Sequence, residues 1–278
     1  MCSLHGSVAP VTRSRESARM AARMTPNHVK QKLRAGTPSV GSWLNIGSPT
    51  SAETLAALGF DWLCVDMEHG QIDLETLAAM LAAVGRYPVA PLARVPEITE
   101  GAIKRVLDAG AWGFVAPDVR SREEVELMVA AAKYPPVGVR SFGGGRHALS
   151  FRTDPLTYFR RANDEVLIVA QIEHVDAIRR IDDILAVPGL DACYTGPSDL
   201  CASAGLTPAL EPEDAEFEAM MQRLLAAARR RGVVPGIHCG TPEYANRRLA
   251  EGWTLVGIVN DLRFLTAAAR SSRDAIKA

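Results

Sequence analysis

Two short apolar runs end in carboxylates: Val166–Glu173 (VLIVAQIE) and Leu190–Asp199 (LDACYTGPSD). Runs rich in Val and Ile, too short for a helix and bounded by polar residues, read as buried parallel strands. Glu173 and Asp199 then stand at the C-terminal ends of neighbouring strands and face the same space. Converging carboxylates make a hard-oxygen site for a divalent cation such as Mg²⁺, Mn²⁺ or Co²⁺. The plainer reading is that each carboxylate caps the helix that follows it.

Other polar residues gather at equivalent places. One apolar run ends Asp66–Met67–Glu68–His69–Gly70, another ends in Arg94, and Gln171 immediately precedes Ile172 and Glu173. Taken singly, Arg94 could be a structural ion pair, His69 could cap a helix, and Gln171 could be packing. Their recurrence at the same end of several strands points to a shared site.

The elements that must hold these residues alternate regularly. Strand candidates are 39–45, 62–66, 90–94, 113–117, 166–172, 190–195, 233–238 and 255–259. Between them, apolar residues recur at helical spacing, as in Leu74, Leu77, Leu81 and Val84, or Val125, Met128, Val129 and Ala132. Gly59, Gly110, Gly189, Gly232 and Gly252 each follow a helical pattern and precede a strand, where helix C-caps belong. Eight β–α units predict a closed (β/α)₈ TIM barrel, whose chemistry collects where the strands end. An open doubly wound sheet is the alternative, but no GxGxxG follows the first strand.

Bulk properties narrow the function. The 278 residues are 47% hydrophobic and 23% charged, with formal net charge −1. That balance supplies no field for nucleic acid or anionic lipid, and no run is long and apolar enough to span a membrane. The five cysteines show no CxxC spacing and suit a reduced, cytoplasmic chain better than a disulfide framework. Residues 1–24 stand apart, with Arg13, Arg15, Arg19 and Arg23 against a single acid, Glu16. They read as a tail or an early start before a single barrel domain over 25–278; transit-peptide composition is the alternative. One long interruption, 134–165, contains Arg140–His147 (RSFGGGRH) and is expected to be functional as a lid or anion cradle.

From about Leu33 to Arg270 the chain resembles the HpcH/HpaI aldolase family of metal-dependent pyruvate aldolases. The resemblance rests on Gly41–Leu44 (GSWL), Phe60–His69 (FDWLCVDMEH), Ala93–Pro96 (ARVP), Lys133–Arg140 (KYPPVGVR), Gln171–Glu173 (QIE) and Gly196–Leu200 (GPSDL). It implies a barrel of the phosphoenolpyruvate/pyruvate type, with Glu173 and Asp199 as carboxylates for a metal that chelates pyruvate. It further implies that Arg94 contacts the keto oxygen and that His69 with Asp66 forms a proton-relay dyad. Gln171 would line the pyruvate site, and the backbone of Gly196, Pro197 and Ser198 would hold the pyruvate carboxylate. A homo-hexamer with the site near a subunit contact is also implied.

The implied reaction has a physical logic of its own. Breaking a carbon–carbon bond beside a hydroxyl leaves a carbanion that survives only as an enolate, so a cation and a guanidinium must supply the electron sink. A Schiff-base lysine is the other solution. None of the strand candidates contains lysine, and Lys104 and Lys133 sit in helical patterns. Departures from the family pattern concern the aldehyde: Ser141–His147 is bulky and basic, and His238 replaces an aliphatic residue at the end of the seventh strand. The expectation is a carbon–carbon lyase cleaving a 4-hydroxy-2-oxo acid to pyruvate and an aldehyde. A related decarboxylase or acyl-CoA lyase, and a non-catalytic keto-acid-binding barrel, are the alternatives.

Overall fold

Backbone pairing along eight short runs settles the architecture. The computed structural model describes residues 23–277. In order, its elements are α1 (His28–Arg34), β1 (Ser39–Leu44), α2 (Pro49–Ala56), β2 (Trp62–Asp66), α3 (Leu74–Val84), β3 (Ala90–Arg94), α4 (Glu100–Asp108), β4 (Gly113–Ala116) and α5 (Arg122–Ala132). Then come α6 (His147–Ser150), α7 (Pro155–Glu165), β5 (Leu167–Gln171), α8 (Val175–Arg179), α9 (Ile181–Ile184), β6 (Ala192–Thr195) and α10 (Pro197–Ser203). The last are α11 (Ala215–Arg231), β7 (Val234–Cys239), α12 (Pro242–Glu251), β8 (Leu255–Asn260) and α13 (Asp261–Ala275). The strands form a closed parallel barrel in sequence order, with β8 returning to pair with β1. This is the expected (β/α)₈ barrel.

The helix boundaries follow from local chemistry. Ser48, Asp73, Thr99, Ser121, Asp154, Thr241 and Asn260 each accept a backbone N–H of the first turn that follows, which relieves donors a helix leaves unpaired. All five glycines expected to end helices adopt positive φ. Strand side chains are almost wholly buried, as expected for a barrel packed inside and covered by helices outside.

The barrel interior holds an aromatic group that the sequence pattern does not announce. Trp43 and Trp62 cross edge-to-face with centroids 6.4 Å apart, and Tyr194 lies 5.6 Å from Trp43. Space for them comes from two bare positions: a Cβ at Gly41 would overlap the Trp62 ring, and one at Gly257 would overlap Tyr194 Oη. Such close approach is what glycine permits in a strand.

The strand N-termini are closed by α1. Its cap Asn27 is buried and donates to the carbonyls of Trp112 and Glu165, both at 3.0 Å. Lys30 reaches the Val166 carbonyl at 2.6 Å and Asp191 at 2.8 Å. Of the 1–24 tail expected from sequence, residues 1–22 lie outside the described residues; Met24 packs against the core.

The 134–165 interruption corrects an expectation. It contains α6 and α7, and it connects the C-terminal end of α5 to the start of β5, at the opposite end of the barrel from the strand C-termini. Arg140 donates to Asp108 at 2.8 Å, the Arg146 N–H donates to the Asp108 carbonyl, and His147 is buried beside the same carboxylate. Asp108 ends α4, so the Ser141–His147 segment cannot line a pocket at the strand C-termini of its own barrel.

Candidate active site

Asp66 is the last residue of β2 and Arg94 the last of β3, paired directly across the sheet. That register brings a carboxylate and a guanidinium together as a two-point pair: Arg94 Nε and Nη2 donate to Asp66 Oδ1 and Oδ2 at 2.9 and 2.6 Å. Burial would raise the Asp66 carboxyl, but Arg94 and Asn45 outweigh it and hold the group below the usual carboxylate range. Arg94 is also 2.9 Å from Glu68 and stacks over Trp43 at 4.8 Å.

From there hydrogen bonds cross the barrel mouth. Gln171, the last residue of β5, has Oε1 3.5 Å from Arg94 Nη1 and donates Nε2 to Glu173 at 2.6 Å. The other Glu173 oxygen accepts the Asp118 N–H at 3.0 Å, from a residue held at φ +47°. Glu173 is 6% exposed, and burial pushes its carboxyl up to about 7, against the N–H of Asp118 and the charge of Arg94. A nearby cation would act in the same direction as Arg94 and favour the ionised carboxylate.

Asp199 lies in the first turn of α10, solvent-exposed, and its charge adds to the rise at Glu173. Neither carboxylate serves as the expected helix cap: the caps are His174 and Gly196. Gly196 carries no side chain for a reason visible here, since a Cβ would run into the Glu173 carboxylate. Among the described residues no group of three or more His, Cys, Asp or Glu is arranged to hold a metal. Two carboxylates at the ends of β5 and β6 are the kind of oxygen donor a hard divalent cation such as Mg²⁺ accepts, with water or substrate filling its remaining positions. The cradle at Gly196 and the buried Glu173 both fit that group.

A cavity of about 300 Å³ opens over this line. It is bordered by Asp66, His69, Arg94, Gln171 and Gly196–Asp199, and by Trp43, Asn45, Tyr194, His238 and Asn260. No lysine lines it, and Lys133 lies at the far end of the barrel, bonded to the Asn163 carbonyl. A second cavity of about 230 Å³, bordered by Glu173, His174, Asp118 and Arg120, shares Asp199 and His69 with the first.

The structure thus gathers Asp66, His69, Arg94, Gln171, Gly196, Pro197, Ser198, Asp199 and His238 around the first cavity, while Glu173 borders the second and joins the first through its hydrogen bond from Gln171. It does not form the expected His69–Asp66 dyad. Asp66 Oδ1 accepts the backbone N–H of His69 at 3.2 Å and Arg94 takes the rest of the carboxylate face, so the imidazole turns outward. Its side chain is 65% exposed, with Nε2 4.0 Å from Glu68. Sequence reading missed Asn45, which donates to Asp66 at 2.7 Å, and Tyr194, whose hydroxyl lies 3.3 Å from His238 Nδ1. Asn45 follows directly on the GSWL run and could have been found as another polar residue at a strand end. Tyr194 sits inside a strand and looks like core. The four described cysteines are buried and free, and burial pushes the Cys193 and Cys239 thiols up to about 12, so neither is a ready nucleophile.

Comparison with known proteins bears on the chemistry. The family model described as HpcH/HpaI aldolase/citrate lyase matches residues 39–266. The hydroxypyruvate/pyruvate aldolase of Rhizorhabdus wittichii is 36% identical over 244 residues, spanning 88% of this chain and 96% of that protein. The 4-hydroxy-2-oxo-heptane-1,7-dioate aldolase of Escherichia coli is 34% identical over 245 residues, spanning 88% and 93%. A crystal structure of an HpcH/HpaI aldolase/citrate lyase family protein from Burkholderia cenocepacia superposes with TM-score 0.84 at 33% identity, covering 91% of this chain and all of that one.

Proposed function

The chain belongs to the HpcH/HpaI aldolase/citrate lyase family and is an aldolase, a carbon–carbon lyase; we propose that it cleaves a 4-hydroxy-2-oxo acid reversibly to pyruvate and an aldehyde at the cavity over Arg94, Glu173 and Asp199. The observation that carries this reading is the buried Glu173 carboxylate, linked through Gln171 to Arg94 at the ends of β5 and β3.

Cleavage moves the electrons of the C3–C4 bond into C3, from where they must pass to the oxygen on C2. A divalent cation held by Glu173 and Asp199 would lend positive charge to the substrate oxygens. Arg94 places a fixed guanidinium beside the same oxygen, preorganised by Asp66, Glu68 and the Trp43 face. Gln171 orients Glu173 and borders the keto-acid pocket. Gly196, Pro197 and Ser198 bring main chain against that pocket, with no Cβ at Gly196 to obstruct it. The proton leaving the C4 hydroxyl goes to a base at the mouth, for which His69 is the residue in place, with Glu68 rather than Asp66 as the carboxylate nearest its ring. Returning a proton to C3 completes pyruvate. His238, on β7, two strands on from the β5 end that carries Glu173, borders the aldehyde half.

Assembly follows the same reading. Every residue of α13 after Asp261 is exposed, including Leu262, Phe264 and Leu265. An apolar stripe that its own barrel leaves uncovered supports packing between copies, for which a hexamer is the family's pattern. No helix among the described residues is long and apolar enough to cross a membrane; the cysteine pattern of the sequence supports a cytoplasmic location.

The test is pyruvate release from a panel of 4-hydroxy-2-oxo acids with Mg²⁺, Mn²⁺ or Co²⁺ and in excess EDTA. Turnover abolished by EDTA and restored by the metal is expected, and Glu173→Gln should lose Mn²⁺ binding by calorimetry. Full activity in EDTA, or unchanged Mn²⁺ affinity in the variant, would refute the metal assignment.

A further inference from the structure

Three aromatic rings connect the barrel core to the aldehyde half of the cavity. Trp43 Nε1, which can only donate, points at Tyr194 Oη at 3.1 Å. Tyr194 is buried, so its own O–H must find an acceptor. The acceptor in reach is His238 Nδ1 at 3.3 Å, and no other partner of Oη is seen among the described residues. Directionality then runs one way: Trp43 donates to Tyr194, and Tyr194 donates to His238. In the neutral imidazole Nδ1 is the bare nitrogen, so the proton sits on Nε2, for which no protein partner is present among the described residues.

We infer that His238, set by Trp43 and Tyr194 as an Nε2–H donor bordering the cavity, is the residue that selects the aldehyde, and that the aldehyde taken is short, uncharged and hydroxylated. This rests on the aldolase reading above and deepens it. The lining supports the choice of substrate class. Its one arginine, Arg94, is already bound to Asp66 and Glu68, His69 is taken as the base at the mouth, and the lining around His238 is otherwise uncharged, with Trp43, Asn45, Tyr194, Leu210 and Asn260. A distal carboxylate would leave water and meet no free cation, whereas a hydroxyl oxygen accepts an N–H. The imidazole is itself neutral: burial, with Arg94 and Arg263 behind it, pushes it down to about 4. At about 300 Å³ the cavity is at the small end of ligand sites, and pyruvate occupies part of it, which favours a short aldehyde.

Tyr194 is accordingly a positioning residue, acting through His238. The full-length protein with Mn²⁺ is assayed for addition of pyruvate to glycolaldehyde, to propionaldehyde (the same size without the hydroxyl) and to succinic semialdehyde. The readout is the ratio of kcat/KM values, and dividing each variant's ratio by the wild-type ratio cancels the aldehydes' intrinsic reactivities. His238→Leu is expected to lower the glycolaldehyde-to-propionaldehyde ratio about tenfold, the scale of one lost hydrogen bond to a bound hydroxyl. His238→Gln, which keeps an N–H at nearly the same reach, should retain most of it, and Tyr194→Phe should lower it. Nitrogen-15 spectra of the wild-type imidazole should show protonation at Nε2 alone. An unchanged ratio in His238→Leu, preference for succinic semialdehyde, or a proton on Nδ1 would each overturn the inference. Exchange of the pyruvate methyl into D₂O without aldehyde separates the two levels. No exchange in the wild type would remove the aldolase reading and this inference with it, whereas normal exchange with no hydroxyl preference would remove the inference alone.

Discussion

Arg94 is gripped from three directions, by Asp66, Glu68 and the face of Trp43. A side chain with that many restraints serves poorly as a generic counter-ion and well as a donor whose position must not drift. Lysine keeps the charge but loses the planar fork, so it can satisfy Asp66 or the substrate oxygen but not both with the same geometry. Arg94→Lys is therefore expected to lower kcat and kcat/KM together by on the order of a hundredfold, as for a lost transition-state contact. Methyl exchange of pyruvate into D₂O should slow in parallel, because enolate formation needs the same donor. Wild-type exchange in the variant would show that Arg94 acts elsewhere in the cycle. The His69 side chain teaches the complementary point: its neighbour in sequence, Asp66, is bonded to its backbone and not to its ring.

At the scale of elements, the decisive piece is the turn from β6 into α10. Gly196 caps that helix without a side chain of its own, and its bare Cα leaves room for Glu173 arriving from β5. Gly196→Ala would push the Glu173 carboxylate off Gln171 while leaving the barrel's pairing intact. The expected result is at least a tenfold loss in Mn²⁺ affinity by calorimetry with little change in thermal midpoint. Equal affinity in the variant would mean that Glu173 is free to move and is not cradled. The connection between α5 and β5 shows how an element can mislead when read alone. Its glycines and basic residues look like a lid, but a segment that leaves a helix to enter a strand must lie at the strand N-termini, and Arg140 and His147 are consumed there by Asp108.

For the molecule as a whole, α13 is the element that its own barrel does not explain. Fifteen residues long, it presents Leu262 and Leu265 to solvent at 50% and 58% exposure. Light scattering at micromolar concentration should give a mass several times the 29.9 kDa of one chain. Leu265→Glu should shift that mass downward, because a buried carboxylate in an apolar contact is strongly disfavoured. A single-chain mass in the wild type would end the assembly proposal.

How much of this was legible beforehand divides along a physical line. The alternation of strand and helix, the closing of eight units into a barrel, and the gathering of Glu173, Asp199, Arg94 and Gln171 at strand ends were all determined by local pattern. Periodicity, turn glycines and the end of an apolar run are properties of adjacent residues, and the direction of every strand in a parallel barrel follows from them. What only the tertiary structure decided was which partner each side chain takes. Asp66 could have held His69, three residues away, but the β2–β3 register set Arg94 beside it first, and a two-point charged pair outcompetes a single bond to an exposed ring. Tyr194 gave no sign of its role because its hydroxyl meets His238 of the neighbouring strand β7 and, across the barrel, Trp43 of β1, through space left by Gly257 on β8. Pattern along the chain assigns a residue to an end or a face; competition among residues distant in sequence assigns it a bond.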